Sequence, residues 1–575
     1  MLDNAIRDEL SPDMARGPRR RQARHSGVSR RDTRFGPPHH KEPATAGHRR
    51  SPMPESRGPT LRQALHRTAR HHADSEALVD SQHRYTYRQM LERARQTASL
   101  LFRLGVRKGD RVALMMLPST IHPIALYGCW ELGAVPVALH VREKLPILVK
   151  TIERLSPRAL IYDGAFAGQV AQIRAQVPLI TGYVRATSEA TPPEHVRQGD
   201  EPVIPDDLDR YPLDFEPMAL AGHDLAAIVL TSGTTGLPKG VLHTHAKLVE
   251  SCRAAVYPFG LTPHSSTLNM FTTSFMGWAN LALPYFNIGA RQVFHDHWDP
   301  KRVLRTVAEE RLTNLLLVPT MWRLLLREAV ENYDLSSLRQ VGFAGEVMDL
   351  PTLAAIRRRI APHVINCYST TETGVSGGTA MFPQDLERAD KIESVGKPLL
   401  NSEVRVVAIG GSPDDELPPG EEGEILIAGP SVAREFWCDP PLSREKFQGP
   451  WWRSGDLGSF DADGYLYVRG RVDDMIISGG INVMPGPVEN VLLAHPDVAE
   501  AAVVGLPDPD WGQRIVAFVV RKDPALDEAA LDSHVAGSDL PGYQRPRAYQ
   551  FLEELPRGNS GKTNRRALRQ LATGA

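Results

Sequence analysis

The stretch Thr231–Gly240 reads TSGTTGLPKG and follows directly on the apolar run LAAIVL. Its glycines let backbone N–H groups approach a ligand closely, Ser232, Thr234 and Thr235 add hydroxyl donors, and Lys239 adds a positive charge. Many donors around one cation at the end of a buried strand are typical of a phosphate site. The P-loop pattern G-x-x-x-x-G-K-[ST] does not fit, because no Gly-Lys-Ser/Thr follows at the required spacing. We therefore predict a phosphate-binding loop of another kind.

The surroundings of this stretch indicate an α/β protein. Up to about residue 400, short apolar runs such as RVALMML, PVALHV, DLAAIVL and NLLLVP alternate with segments of helical periodicity. This alternation predicts mostly parallel sheets covered by helices on both faces. Beyond residue 400 the apolar runs shorten and lie closer together, with Gly, Pro and Asp between them. That change predicts antiparallel or α+β structure and a second domain.

Composition excludes several classes of protein. The 575 residues exceed the size of one hydrophobic core, and a net charge of −1 gives no overall field for nucleic acid. We predict no nucleic-acid partner. The four cysteines are scattered without a C-x-x-C pair, and no apolar run approaches the roughly 18 residues of a membrane span. These features predict a cytoplasmic protein without a membrane span.

Residues 1–58 differ from the remainder of the chain. They contain 13 Lys or Arg against 7 Asp or Glu and hardly any apolar cluster. We predict a disordered basic tail, because such a segment cannot bury enough surface to offset its ordering entropy. An arginine-rich tail of this kind can bind nucleic acid or anionic lipid, but the composition favours a passive tail or a true start at Met53.

Two histidine pairs have the appearance of metal sites. His243 and His245, and likewise His295 and His297, are each separated by one residue, yet no third ligand with suitable spacing accompanies either pair. We predict that they are not zinc sites, and that His243 and His245 support the strand after the phosphate loop.

TSGTTGLPKG resembles the phosphate-loop signature of the adenylate-forming (ANL) superfamily, which includes acyl- and aryl-CoA synthetases, peptide-synthetase adenylation domains and luciferases. Its other motifs follow in order. YSTTETG (Tyr368–Gly374) is similar to Y-G-x-T-E, SGDLG (Ser454–Gly458) to T-G-D, and GRVDDMIISGGINVMPGPVE (Gly470–Glu489) to the hinge and the loop after it. GYQRPRAYQFLEELPRGNSGKTNRRAL (Gly542–Leu568) is similar to the terminal segment with the catalytic lysine. The resemblance extends from about residue 59 to the end.

The resemblance implies a fold and a reaction. It implies an N-terminal AMP-binding domain over 59–470 with a small barrel-like subdomain, a hinge at 471–473 and a mobile α+β lid over 474–575. The expected reaction is activation of a carboxylic acid by ATP and Mg²⁺ to an acyl-AMP, followed by transfer to CoA. Loading of a carrier protein's phosphopantetheine is the alternative, because that arm has the same thiol chemistry. We expect a monomer or homodimer in the CoA-ligase branch of the superfamily.

The resemblance also implies roles for individual residues. The catalytic residues are Lys562, which bridges the carboxylate and the α-phosphate, Glu372, which holds Mg²⁺, and Thr371. The ATP- and AMP-binding residues are Thr231, Ser232, Gly233, Thr234, Thr235, Gly236, Lys239, Gly345, Glu346, Tyr368, Ser369, Thr370, Asp456 and Arg471. Tyr368 is expected to stack on adenine, and Asp456 and Arg471 to reach the ribose. Asp473 is the expected pivot, and Ser478, Gly479 and Gly480 lie on the thiol side.

The segment FTTSFMGW (Phe271–Trp278) aligns with the family's acid-pocket motif. Ser274 stands where many acyl-CoA synthetases have histidine, and Thr272 where amino-acid adenylation domains have an aspartate for the α-ammonium group. An α-amino acid substrate is therefore disfavoured, since an unpaired ammonium is costly to desolvate. The predicted acid pocket consists of Phe271, Thr272, Ser274, Phe275, Trp278 and Phe343, which favours an acyl or aryl acid.

Overall fold

The computed structural model describes residues 58–197, 199–213, 218–231, 237–274, 276–345, 348–374, 377–558 and 563–573. The described residues belong to one compact unit, Glu55–Ala575. The predicted basic tail lies outside the described residues except for Gly58. Ser232, Gly233, Thr234, Thr235, Gly236, Phe275, Glu346 and Lys562 also lie outside them.

The strands, in chain order, are β1 Glu76–Val79, β2 Arg84–Thr86, β3 Arg111–Met115, β4 Val135–Ala138, β5 Ala159–Asp163, β6 Gly182–Ala186, β7 Val203–Ile204, β8 Leu225–Thr231, β9 Lys239–Thr244, β10 Ser266–Asn269, β11 Arg291–Phe294, β12 Asn314–Leu317, β13 Gln340–Ala344, β14 Val364–Tyr368, β15 Thr379–Met381, β16 Lys397–Pro398, β17 Glu403–Val407, β18 Gly423–Ala428, β19 Phe447–Gln448, β20 Trp451–Phe460, β21 Leu466–Arg471, β22 Ile476–Ser478, β23 Ile481–Val483, β24 Val498–Asp508, β25 Gly512–Arg521 and β26 Ala548–Leu552.

The α-helices are α1 Leu61–His71, α2 Tyr87–Arg103, α3 Ile121–Leu132, α4 Leu145–Leu155, α5 Ala167–Gln176, α6 His245–Val256, α7 Met276–Ile288, α8 Pro300–Glu309, α9 Pro319–Leu325, α10 Leu350–Arg359, α11 Pro440–Lys446, α12 Pro485–Leu493, α13 Glu528–Ala536 and α14 Arg565–Thr573.

Two large sheets occupy the first 400 residues, as the strand and helix alternation predicts. Within the described residues, one has the order β4-β3-β5-β6-β7 and is parallel throughout. The other has the order β16-β15-β14-β13-β12-β10-β11-β1-β2, with a parallel centre and antiparallel pairs at both edges. α-Helices separate the consecutive parallel strands, because a parallel connection needs a long crossover, except that β6 and β7 are joined by a segment with only a 3-10 turn, Pro193–His195.

The run LAAIVL differs from the prediction. It forms β8, which pairs antiparallel with β9 in a two-stranded hairpin instead of joining a parallel sheet. The physical reason is the short connection, since only residues 232–238 separate the two strands. β8 lies against β4, at the edge of the parallel five-stranded sheet.

After residue 400 the chain forms two further sheets. β17, β18, β20, β19 and β21 make an antiparallel sheet, and β22 to β26 make a mixed sheet in which β26 joins β25 in parallel. α12, α13 and α14 accompany the mixed sheet, which gives the C-terminal part its α+β character. Within the described ranges, no helix is both long and apolar enough to cross a membrane.

Candidate active site

The strands that hold the predicted phosphate loop form a firmly bonded base. Thr231 at the end of β8 is paired with Lys239 at the start of β9. The outer edge of β9 forms backbone hydrogen bonds with residues 435–437. One of them is donated by the Trp437 amide to the Gly240 carbonyl at 2.7 Å. A side chain at Gly240 would lie 2.6 Å from the Ile228 side chain, so only glycine fits this close packing. Lys239 is half-buried.

Three side chains from distant parts of the sequence meet at the end of β14. The Tyr368 hydroxyl donates a hydrogen bond of 2.6 Å to Oδ2 of Asp456. Nη1 of Arg471 donates one of 2.7 Å to the other carboxylate oxygen. Asp456 on β20 and Arg471 on β21 face each other in the strand register, so the backbone pairing sets their contact. The sequence resemblance assigns all three residues to one nucleotide, and the structure brings them together.

The Asp456 carboxylate is held in place from several sides. Asp456 as a whole is only 8% exposed. The Asp456 amide donates to Oγ of Ser454 at 3.0 Å, and that hydroxyl donates to the Ile425 carbonyl at 2.6 Å. Burial, and then the neighbouring Asp456 charge, raise the pKa of Tyr368 well above its usual value, so its hydroxyl remains a donor. Because a carboxylate has about four acceptor positions, the two bonds described leave capacity for ligand hydroxyls.

Glu372 lies in the 3-10 turn Thr371–Thr373 that follows β14. The turn is fixed through its backbone: Nε2 of His243 donates to the Thr371 carbonyl at 2.9 Å, and the Ala433 amide donates to the Glu372 carbonyl at 2.7 Å. His243 thus joins the strand after the phosphate loop to this turn, as a support residue should. Nδ1 of His245 accepts a weaker bond of 3.4 Å from the Leu61 amide at the start of α1.

The electrostatics of Glu372 fit a bound cation. Burial raises the pKa of its carboxyl group. Among the described residues no lysine or arginine forms an ion pair with this carboxylate. A divalent cation at this position would keep the carboxylate ionised and offset its desolvation, so the residue suits Mg²⁺, which takes oxygen ligands.

The remaining predicted nucleotide residues that the structure describes lie on loops at the ends of strands. Gly345 is exposed and follows β13 with a φ of 88°, a conformation that favours glycine. Ser369 and Thr370 lie between β14 and the Glu372 turn. Because β13 and β14 are parallel neighbours, their carboxyl ends meet at one edge of the sheet, where ligands bind in open α/β folds.

The predicted hinge lies where the chain passes from one sheet to the next. Arg471 is the last residue of β21, and the 3-10 turn Val472–Asp474 leads to β22 in the C-terminal sheet. Asp474 forms ion pairs of 3.8 and 3.6 Å with Arg565 and Arg569 of α14. Asp473, between these anchors, is exposed.

The predicted thiol-side residues form a tight turn. Ser478 ends β22, Ile481 begins β23, and the two are register partners, so Gly479 and Gly480 make a two-residue hairpin loop. Their φ angles are 59° and 78°, as a type I′ turn requires. The Gly479 amide donates to the Trp511 carbonyl at 2.8 Å.

The predicted acid-pocket residues fall into two apolar clusters. Trp278 is buried in the cluster around α3 and α7, Phe271 packs against that cluster, and Thr272 is half-buried beside it. Phe343 is buried in the cluster around β12, β13 and α9 instead. Ser274 and Trp278 line one cavity together with a residue that the motifs did not suggest, His122 on α3. The sequence did contain a signal for His122. It is one of two strongly polar side chains, with Glu131, in the otherwise largely apolar helix IHPIALYGCWEL.

Comparison with known proteins identifies the family. The sequence profile of the AMP-binding enzyme family matches residues 65–437, and that of the AMP-binding enzyme C-terminal domain matches residues 487–562. The chain is a member of the AMP-binding enzyme family. The phosphate-loop stretch and the Tyr368 motif lie within the first of these matches, so the resemblance drawn from the motifs is confirmed.

Several individual AMP-binding enzymes are similar over nearly the whole chain. The chain is 32% identical to the 2-succinylbenzoate–CoA ligase of Bacillus licheniformis, over 86% of this chain and 96% of that one. It is 31% identical to the 3-hydroxybenzoate–CoA ligase of an Aromatoleum species, over 89% and 95%. Among solved structures, the anthranilate CoA ligase AuaEII in complex with anthranoyl-AMP superposes with a TM-score of 0.77, 28% identity, and coverage of 90% and 98%. The predicted fold class is confirmed.

Proposed function

We propose that this protein is an ATP-dependent, AMP-forming acid–CoA ligase, which activates a carboxylic acid as an acyl-AMP and then transfers the acyl or aryl group to the CoA thiol. One observation carries the proposal. Tyr368, Asp456 and Arg471 converge at the carboxyl end of the parallel sheet, where the turn that contains Glu372 follows β14. The similarity to CoA ligases over more than four fifths of the chain supports the same conclusion.

The described residues suit the nucleotide of such a reaction. In the proposed arrangement, the Tyr368 ring stacks on the adenine, and the free acceptor capacity of Asp456 takes the ribose hydroxyls. Arg471 holds the Asp456 carboxylate in position and also reaches the ribose. Lys239 and the loop that it ends contact the phosphates. Glu372 would hold Mg²⁺, and the cation when bound would supply positive charge beside the phosphates.

The chemistry takes place in two half-reactions. A carboxylate oxygen forms a bond to the α-phosphorus of ATP, the bond from that phosphorus to the bridging oxygen breaks, and pyrophosphate leaves. The CoA sulfur then bonds to the acyl carbon as its thiol proton passes to solvent, the bond from that carbon to the AMP phosphate oxygen breaks, and AMP leaves with the electron pair. Both reactants of the first step are anionic, so positioning and cations matter more than a general base. In the proposal, Lys562 supplies the ammonium group between carboxylate and α-phosphate.

The hinge is part of the proposal. Arg471 is bonded to the barrel-like sheet through Asp456, whereas Asp474 is paired with α14 of the C-terminal part. The two anchors are three residues apart, so a change of backbone angles at Val472 and Asp473 would rotate one part relative to the other. We propose that this rotation withdraws Lys562 and presents the turn at Ser478–Gly480 to the acyl-AMP, with 59–470 and 474–575 as the two moving bodies.

The surroundings of the enzyme follow from the same proposal. All four cysteines are free thiols, which suits a reducing compartment, and we place the enzyme in the cytoplasm as a monomer or homodimer.

The test is acid-dependent exchange of pyrophosphate into ATP across a panel of carboxylic acids, followed by thioester formation with CoA. Acid-dependent exchange and a CoA thioester are expected. Absence of exchange with every acid would contradict the proposal. If exchange occurs but the acyl group is transferred only to a phosphopantetheinylated carrier protein, the acceptor is the carrier protein and not CoA. Lys562→Ala should abolish adenylate formation yet spare thioester formation from supplied acyl-AMP. Lys522→Ala is the matched control, because the partner of Lys522 Nζ within the described residues is the Pro496 carbonyl on the surface.

A further inference from the structure

An apolar cavity lies between α3, β4, β8 and α7. Its empty space is about 510 Å³, including the part open to solvent. The walls come largely from Leu114, Leu126, Trp130, Ala138, Val229 and Leu283.

The cavity adjoins the strand that leads into the phosphate loop. Ala227 and Val229 line it, and burial alternates along β8 so that Thr231 lies on the same face of the strand. Val229 is two residues, or about 7 Å, before Thr231. A molecule in the cavity can therefore extend along β8 towards the predicted phosphate site.

Three buried side chains on the cavity wall have polar atoms without hydrogen-bond partners among the described residues. They are both ring nitrogens of His122, Oγ of Ser274 and Nε1 of Trp278. The three residues are only 1%, 2% and 2% exposed. The His122 ring meets the edge of the Trp278 ring, with centroids 4.2 Å apart. Buried polar atoms nearly always have a hydrogen-bond partner, so four unpaired atoms on three side chains around a single cavity point to a ligand that supplies partners.

The chemistry of these atoms limits what the ligand carries. Burial lowers the pKa of His122 to about 3, so its ring is neutral near pH 7, with one donor and one acceptor nitrogen. The Trp278 N–H only donates, and the Ser274 hydroxyl can do both. Among the described residues that line the cavity there is no Lys, Arg, Asp or Glu. An ionised substituent would therefore be desolvated without a counter-charge. A neutral polar substituent could instead form hydrogen bonds with the unpaired atoms.

We propose that this cavity takes the body of the carboxylic acid substrate, and that His122, Ser274 and Trp278 hydrogen-bond one uncharged polar substituent on it, a hydroxyl or carbonyl group. The substrate class is thus an acid with an apolar body that carries such a group in addition to its carboxylate. This inference rests on the proposed function, because it takes the acid to be the molecule that is activated.

The test compares matched acids on the full-length enzyme. The pairs are benzoic acid with 3- and 4-hydroxybenzoic acid, phenylacetic acid with its ring-hydroxylated forms, and octanoic acid with hydroxyoctanoic acids and oxo-octanoic acids. The measurement is kcat/KM for acid-dependent pyrophosphate release. In at least one pair the polar member should be favoured at least tenfold, because an acid without the group leaves the buried atoms unpaired.

Variants then link the preference to the cavity. Ser274→Ala removes one hydroxyl with little change of shape, and Trp278→Phe removes one N–H. Each should reduce the preference at least fivefold, by raising KM for the polar acid. Thr267→Val is the control, because Thr267 is fully buried but lies outside the cavity, and it should leave the preference unchanged.

The outcomes separate this inference from the proposed function. If acids are activated but every pair differs by less than threefold, or if the variants weaken both members of the preferred pair equally, the inference is wrong while the proposed function stands. If no acid releases pyrophosphate, the proposed function is wrong and the inference falls with it.

Discussion

Asp456→Asn tests the proposed nucleotide site most directly. The change keeps the size of the side chain and removes its charge. Asp456 accepts hydrogen bonds from Tyr368 at 2.6 Å and from Arg471 at 2.7 Å, and the remaining acceptor positions are those that we assign to the ribose. The asparagine has one acceptor oxygen in place of two, and Tyr368 already occupies part of its capacity. At least one hydrogen bond from the substrate to a charged acceptor is therefore lost.

The magnitude follows from the burial of the groups. A hydrogen bond to a charged group contributes about 1.5–3 kcal/mol, and each 1.4 kcal/mol corresponds to about tenfold in an equilibrium constant. The Asp456 side chain is 11% exposed, so this range applies to its bond with the ribose. The Arg471 side chain is 47% exposed, so solvent screens its ion pair and the loss of that pair adds little. We expect kcat/KM for ATP to fall by about 10- to 150-fold.

The assay is pyrophosphate exchange at varied ATP, together with thioester formation from supplied acyl-AMP. Because the ribose is present in both half-reactions, both should be impaired, unlike the selective loss expected for Lys562→Ala. Asp463→Asn is the control, since that carboxylate pairs with Arg388 and Lys391 at the surface. A folded Asp456→Asn enzyme within threefold of the wild type towards ATP would refute the assignment.

Further predictions concern the metal ligand, the thiol side and acid stability. Glu372→Gln should lower the adenylation rate by about 100-fold. In the wild type, kcat/KM for ATP should decline as pH falls through the raised pKa of Glu372, and excess Mg²⁺ should move that decline to lower pH. Gly479→Ala should slow CoA transfer at least tenfold with a much smaller effect on pyrophosphate exchange, because its Cβ would lie 2.9 Å from the Trp511 ring at a φ of 59°; equal losses in both steps would contradict this. For stability, the pKa of His122 is about 3 in the folded chain against 6.5 for an ordinary histidine, so the unfolded chain binds an extra proton between these values and acid destabilises the fold. His122→Leu should therefore flatten the dependence of the free energy of unfolding on pH between about 6 and 4 by about 1.4 kcal/mol per pH unit, measured by urea denaturation, and an unchanged slope would contradict a neutral buried His122.

The sequence by itself determined the family, the α/β class and the phosphate-loop strands. These depend on short, contiguous patterns: the glycines and hydroxyls of TSGTTGLPKG, the alternation of apolar runs and helices, and the order of the motifs. Each pattern encodes local backbone geometry, which neighbouring residues largely decide. The antiparallel pairing of β8 was not evident, because an apolar run of its length suits a parallel or an antiparallel strand equally.

The sequence resemblance assigned Tyr368, Asp456 and Arg471 to one nucleotide, but only the tertiary structure decided how these side chains contact one another. Tyr368 and Asp456 are 88 positions apart, and the pairing of β20 with β21 orients the carboxylate between Tyr368 and Arg471. Helix packing also placed His122 beside Ser274 and Trp278, and put Phe343 in a different apolar cluster from Phe271. Contacts of this kind depend on how whole elements pack, and the residue spacing along a chain carries no direct record of that packing.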